Sequence, residues 1–199
     1  MPRTTRTFVA LSIPADRAAK LARLQGLIAP EFPPARWVEP GQFHITLAFL
    51  GEVEDVDLLP ICRTCSAVAA RAAPFELRLE ALGVFPDADR PRVAWVGLTG
   101  PGLEPLAALQ RDVATSLAAI GHPPEDDRFH PHVTLGRLKV ARDAPVDVGP
   151  ILRHYRTWSP GSIDVAELIT FGSTLTPEGP SYAPLAQATL GGETRRGRT

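Results

Sequence analysis

His44-Ile45-Thr46-Leu47 and His132-Val133-Thr134-Leu135 are two copies of one short pattern. Side chains on an extended strand alternate in direction, so a histidine and a threonine two positions apart share a face. Each copy therefore presents an imidazole and a hydroxyl together. Ile45, Leu47 and Phe49 in the first copy, and Val133 and Leu135 in the second, point the other way and read as core. Histidine, with an ordinary pKa of about 6.5, can give or take a proton near neutrality. Two imidazoles facing each other across a groove form an acid and base pair suited to in-line displacement at phosphorus: one deprotonates the attacking oxygen while the other protonates the leaving oxygen. The hydroxyls of Thr46 and Thr134 would donate hydrogen bonds to the non-bridging phosphate oxygens, whose charge grows in the transition state.

The elements that must position these groups follow from local patterning. Thr7 to Ser12 reads as a short strand, followed by a helix with Leu21, Leu24 and Ile28 on one stripe and closed by Pro33-Pro34. Arg36-Trp37-Val38 leads into the first motif strand, Gln42 to Leu50, which is expected to stop at Gly51. Acidic residues at 52, 54, 55 and 57 precede a helix reaching about Ala72, favourably placed for the positive end of its dipole. Phe75 to Phe85 and Arg92 to Leu98 read as a hairpin. A helix with Leu103, Leu106, Leu109, Val113, Leu117 and Ile120 on one stripe ends at Gly121, and Pro131 to Leu138 forms the second motif strand. A Pro- and Asp-rich segment then precedes a last strand pair, Ile163 to Phe171 and Tyr182 to Leu190. These elements form two similar sets with one His-x-Thr strand each. They imply an α+β fold: a duplicated, bilobal unit spanning 1–190, two mainly antiparallel sheets facing a central cleft with helices outside, and a disordered Gly- and Arg-rich tail at 191–199.

Bulk properties narrow the function. The 199 residues are 44% apolar, enough for a core, and the formal charge of −1 offers no global attraction to a polyanion. The balance argues against a broad, non-specific DNA coater, and nucleic-acid contact must come from a local basic cluster. No run of apolar residues is long enough to span a bilayer, so a soluble, cytoplasmic, monomeric protein without membrane contact is expected. Cys62 and Cys65 form a C-x-x-C in an Ala-rich helical stretch with neither a second cysteine pair nor a neighbouring histidine, and read as structural thiols.

Other residues are candidates for substrate binding. Arg137 follows the second motif and suits a phosphate, although strict alternation places it on the face of Val133 and Leu135, so a bulge is needed to bring it into the groove. Arg128 offers the same chemistry. Phe8, Trp37 and Tyr182 can stack on a nucleobase. His130 precedes His132 in a His-Pro-His spacing seen in metal sites, but neither an adjacent Asp nor a Cys completes one, although His122 and Asp126 lie upstream. His130 is read as a rim residue, and no metal or other cofactor is expected.

HITLAFLG (44–51) and FHPHVTLGR (129–137), with RTFVALSIP at the start and WVEPGQ leading into the first motif, resemble the two-histidine phosphoesterase superfamily. Within it they look like the RNA 2′,3′-cyclic phosphodiesterases, formerly called 2′-5′ RNA ligases, over Arg6 to Leu190. The resemblance implies a two-lobed fold with both motifs lining a cleft, and metal-independent hydrolysis of a 2′,3′-cyclic phosphate at an RNA end to a 2′-phosphomonoester. It also implies His44 as proton donor to the departing 3′ oxygen and His132 as proton acceptor from water; the residues themselves leave open which does which. The same transition state would serve 2′-5′-linked oligonucleotides, ADP-ribose 1″,2″-cyclic phosphate or reverse ligation of RNA halves. A module that binds RNA ends without turnover is the alternative of another class, and it does not require two groups able to transfer protons.

Overall fold

The structure is a computed structural model and describes residues 3–126, 128–140, 146–176 and 179–191. Strand β1 (Thr4–Ser12) leads into helix α1 (Ala15–Ile28), and β2 (Ala35–Trp37) follows the paired prolines. β3 (His44–Glu54) carries the first motif and runs through a 3-10 turn at Asp55–Asp57 into α2 (Leu58–Arg71). β4 (Phe75–Phe85) and β5 (Val93–Thr99) pair as the expected hairpin, followed by α3 (Leu103–Ala119) and β6 (His132–Leu138), which carries the second motif. The chain finishes with α4 (Gly149–His154), β7 (Gly161–Val165), β8 (Glu167–Thr176) and β9 (Gly179–Thr189).

The strands form one nine-stranded antiparallel sheet in the order β7-β4-β5-β6-β3-β1-β8-β9, with β2 added to β6. Its midline is the contact between the motif strands, where Ile45 of β3 pairs with Val133 of β6. On one side of this seam lie β3, β1, β8 and β9; on the other lie β6, β5, β4 and β7. The sheet is strongly curled. β7 and β8 are six strand spacings apart along it, about 29 Å at about 4.8 Å each. Ala166 alone joins them in sequence, a link of about 7 Å. Only a sheet that bends back on itself satisfies both.

Apolar spacing explains which face the helices cover. Ala18, Leu21, Leu24 and Ile28 of α1, and Leu106, Leu109, Val113 and Leu117 of α3, are buried at intervals of three and four. They join Ile45, Leu47, Val133 and Leu135 in one core. Each stripe also buries one glutamine, Gln25 in α1 and Gln110 in α3. The two helices cross the seam. Arg17 and Lys20 of α1 donate to the carbonyls of Ser162 in β7 and of Pro160 just before it, whereas Gln110 of α3 reaches β3. α3 ends as its sequence implies, with the Gly121 and His122 N–H groups returning to the carbonyls of Ala118 and Leu117.

Several expectations are corrected. The first motif strand passes Gly51, which takes φ +67°, and continues to Glu54. The span 163–171 is two strands, because the chain leaves β4 at Ala166 and begins pairing with β1. The Pro- and Asp-rich segment contains α4. Of the expected disordered tail, Gly191 donates its N–H to the Ala69 carbonyl at 3.1 Å, and 192–199 lie outside the described residues. No helix among the described residues is long and apolar enough to cross a membrane.

Gly121 has φ +88° and open space where a Cβ would stand, so only backbone strain opposes a side chain there. Gly121→Ala is expected to destabilise the fold by about 1 kcal/mol, the left-handed penalty of an L-residue, measured by urea unfolding.

Candidate active site

The antiparallel pairing of Ile45 with Val133 sets His44 opposite Thr134 and Thr46 opposite His132. The imidazoles are then diagonal neighbours on residues about 7–8 Å apart, a spacing that suits one phosphate group between them. All four side chains are half-buried, while the alternating Ile45, Leu47, Val133 and Leu135 are buried on the opposite face.

Both rings are anchored identically. Nδ1 of His44 lies 2.7 Å from the Gln42 carbonyl, and Nδ1 of His132 lies 2.7 Å from the His130 carbonyl. A carbonyl oxygen only accepts, so Nδ1 carries the proton in each and Nε2 is left to exchange one. Pro131 restricts His130 to extended backbone, which presents its carbonyl back to His132. The role of His130 in the site thus runs through its backbone oxygen, with its ring 6.4 Å from that of Phe85.

Aromatic rings enclose each imidazole. Phe8 lies 5.0 Å and Tyr182 5.4 Å from His44, ring centre to ring centre, and Phe171 stacks on Phe8 at 5.1 Å. Phe85 at 5.1 Å and Trp95 at 6.3 Å flank His132. Both histidines are held below their ordinary pKa, chiefly because burial disfavours the imidazolium; the carbonyl bonds oppose this, and the charge of His132 adds to it at His44. In the free protein both rings therefore favour the neutral form at neutral pH.

Arg137 reaches this face by the bulge that alternation demanded. Along β6, Trp95 of β5 pairs with Thr134 and Ala94 with Gly136, leaving Leu135 as an extra residue. Strand phase inverts there, so Leu135 and Gly136 are buried and Arg137 is exposed. Its charge lowers the His132 pKa and acts on Tyr182. β3 repeats the device: Val9 pairs with Ala48 and Ala10 with Thr46, leaving Leu47 extra. Phe49, expected in the core, is therefore half-buried on the histidine face, and the Arg6 guanidinium sits 4.7 Å over its ring.

The structure separates the remaining candidates. Phe8 and Tyr182 join His44, but Trp37 packs on Phe32 and over Gly136. Arg128 is exposed and paired with Asp126 at 3.6 Å. His122 lies 3.6 Å from Asp57, and among the described residues no group of three or more His, Cys, Asp or Glu side chains is placed to hold a metal. Burial pushes the Cys65 thiol up to about 11, far from a reactive thiolate. Sequence reading passed over Arg6, Phe85 and Trp95. For Arg6 the signal was present, since it stands two positions before Phe8 on a regular strand and shares its face.

Two His-x-Thr pairs related by an approximate two-fold at the seam of a curled antiparallel sheet define a phosphoesterase of the two-histidine kind. The family model described as LigT like Phosphoesterase matches the chain twice, over residues 11–95 and 96–182, and the chain belongs to that family. It is 40% identical over 166 residues to the RNA 2′,3′-cyclic phosphodiesterase of Aeropyrum pernix, covering 83% of this chain and 92% of that one. Over 158 residues it is 36% identical to the Aquifex aeolicus protein of the same name, covering 79% and 82%. Among solved structures, TT0787 of Thermus thermophilus superposes with a TM-score of 0.77 at 29% identity, covering 95% of this chain and all of the other. LigT of E. coli complexed with 3′-AMP superposes with a TM-score of 0.72 at 26% identity, covering 94% and 99%.

Because the His132 charge opposes protonation of His44, His132→Asn is expected to raise the His44 pKa. The ring-proton shifts of His44, followed by NMR from pH 4 to 8, read this; an unchanged or lowered value would show that the two imidazoles do not sense each other.

Proposed function

We propose that the protein hydrolyses RNA 2′,3′-cyclic phosphate ends to 2′-phosphomonoesters, with no metal ion taking part. The observation that carries this reading is the pair of Nδ1-anchored imidazoles on diagonal positions across the Ile45–Val133 seam. The activity named for relatives at 36–40% identity supplies the substrate class. Residues 1–190 act as one bilobal unit with a His-x-Thr pair in each lobe.

The cyclic phosphate lies between the two rings. Nε2 of His132 accepts a proton from water as the water oxygen bonds to phosphorus. The bond from phosphorus to the 3′ oxygen breaks, and that oxygen takes a proton from Nε2 of His44, which enters the step as the imidazolium that the neighbouring phosphate anion favours. The products are a 2′-phosphate and a free 3′-hydroxyl. Thr46 and Thr134 donate to the non-bridging oxygens, and Arg137 balances their charge. Arg6, held over Phe49, is the second cation available to an RNA backbone. Phe8 and Tyr182 offer the terminal base a ring to stack on. The assignment of acid and base follows the family resemblance, since the two rings are anchored alike.

His44→Ala and His132→Ala are each expected to lower kcat by about 10²- to 10⁴-fold with KM little changed, assayed in excess EDTA on a synthetic oligonucleotide ending in a 2′,3′-cyclic phosphate. A diester whose departing group is p-nitrophenolate needs no acid. It is expected to rescue His44→Ala and leave His132→Ala impaired; the reverse outcome would exchange the two roles. Since both rings are held below the ordinary histidine value, loss of the neutral base is expected only as pH falls below about 6.5. The acidic limb of log kcat/KM against pH reads this directly.

A further inference from the structure

The carbonyl of each bulged leucine is gripped by a glutamine from the other half of the chain. Gln25 of α1 is buried, and its Nε2 donates to the Leu135 carbonyl at 2.8 Å and to the Val38 carbonyl at 2.9 Å. Gln110 of α3 is equally buried, and its Nε2 donates to the Leu47 carbonyl at 3.4 Å. Leu135 and Leu47 are the extra residues that invert strand phase after Thr134 and Thr46. Gln25 and Gln110 also stand at the same distance past the start of the two family-model matches. Two glutamines in equivalent positions thus perform one task on two equivalent bulges. Each does so across the seam, because α1 begins after β1 yet grips β6, and α3 begins after β5 yet grips β3.

We infer that Gln25 and Gln110 are positioning residues, which hold the bulges that turn Arg137, and Phe49 with the Arg6 above it, toward the phosphate. The inference deepens the proposed activity and rests on it for the identity of the substrate. A buried amide is costly to leave unmatched, and an apolar side chain of the same length would fill either helix stripe without that demand. What an apolar side chain lacks is a donor able to fix where the bulge sits. If the Leu135 bulge slips along β6, strict alternation returns and Arg137 swings to the core face. The Gln25 grip has two bonds of ordinary length and the Gln110 grip one long bond, so the larger effect belongs to Gln25.

The test is a double-mutant cycle in the full-length protein. Gln25→Met keeps length and volume but removes both donors. It is expected to lower kcat/KM about 10- to 100-fold, the scale of a misplaced binding group, and to do so through KM more than kcat because Arg137 binds charge rather than moving protons. In an Arg137→Ala background the same change is expected to cost less than about threefold, whereas two independent losses would multiply. Gln110→Met is expected to multiply with Arg137→Ala, since it acts on the other strand. Gln25→Asn, which keeps the donors on a shorter stem, serves if the methionine variant fails to fold. Affinity for 2′-AMP, measured by calorimetry in the same four variants, repeats the cycle without turnover. An inactive wild-type protein would therefore overturn the proposed activity and still leave the grip decided. Multiplicative losses for Gln25 and Arg137 in both kcat/KM and 2′-AMP affinity would overturn the positioning role.

Discussion

The site depends on one strand pairing. Ile45 faces Val133, and because the strands are antiparallel, that single register turns two copies of a sequence pattern into a geometric pair. Each histidine falls beside the other strand's threonine, and the rings end up on diagonal corners of one face. A slip of either strand by one residue would send its histidine and threonine to the helix-covered face and bring its Ile45 or Val133 out. The buried side chains of the motif are therefore as much a part of the site's geometry as the histidines. Their demand for burial, about 25 cal/mol per Å² of apolar surface, fixes the register.

Around that pairing the molecule treats its two imidazoles alike at the backbone and differently at the side chains. Both donate Nδ1–H to the carbonyl two residues earlier, so both are locked in tautomer and orientation before substrate arrives. Their surroundings then diverge. His44 lies against Phe8 and Tyr182, and His132 against Phe85 and Trp95. The second motif supplies its own guanidinium through Arg137, whereas the first places Phe49 at that position and borrows a guanidinium from β1 through Arg6. Under the proposed activity the two proton carriers can be alike, whereas an RNA end is an asymmetric ligand, and the divergence of the outer residues suits that asymmetry.

Much of this was legible in the sequence. The duplicated motif, the alternation behind it and the helix stripes identified the elements, the two histidines that the fold brings together and the faces that pack. Alternation failed where the backbone departs from it. Arg137 and Phe49 both lie past a bulge, and a bulge at a leucine inside an apolar run leaves no mark in residue type, since Leu47 and Leu135 are core residues with or without it. The break at Ala166 was hidden for a similar reason: alanine fits a strand interior, and only the competition between β4 and β1 for partners reveals that pairing changes there. Gln25 and Gln110 sat in plain view on apolar stripes, where a glutamine at a core position signals a buried acceptor waiting for it.

The path of the chain carries a mechanical consequence. It crosses the seam four times: from β1 to β2, back to β3, across again to β4, and, after β5, β6 and β7 on that same side, home through the single residue Ala166. With α1 and α3 also exchanged, the two sides are stitched together rather than hinged. A protein laced in this way has little freedom to gape like a shell around its substrate, so its selectivity must reside in a preformed mould, and neither half of the chain could be excised as a miniature of the whole.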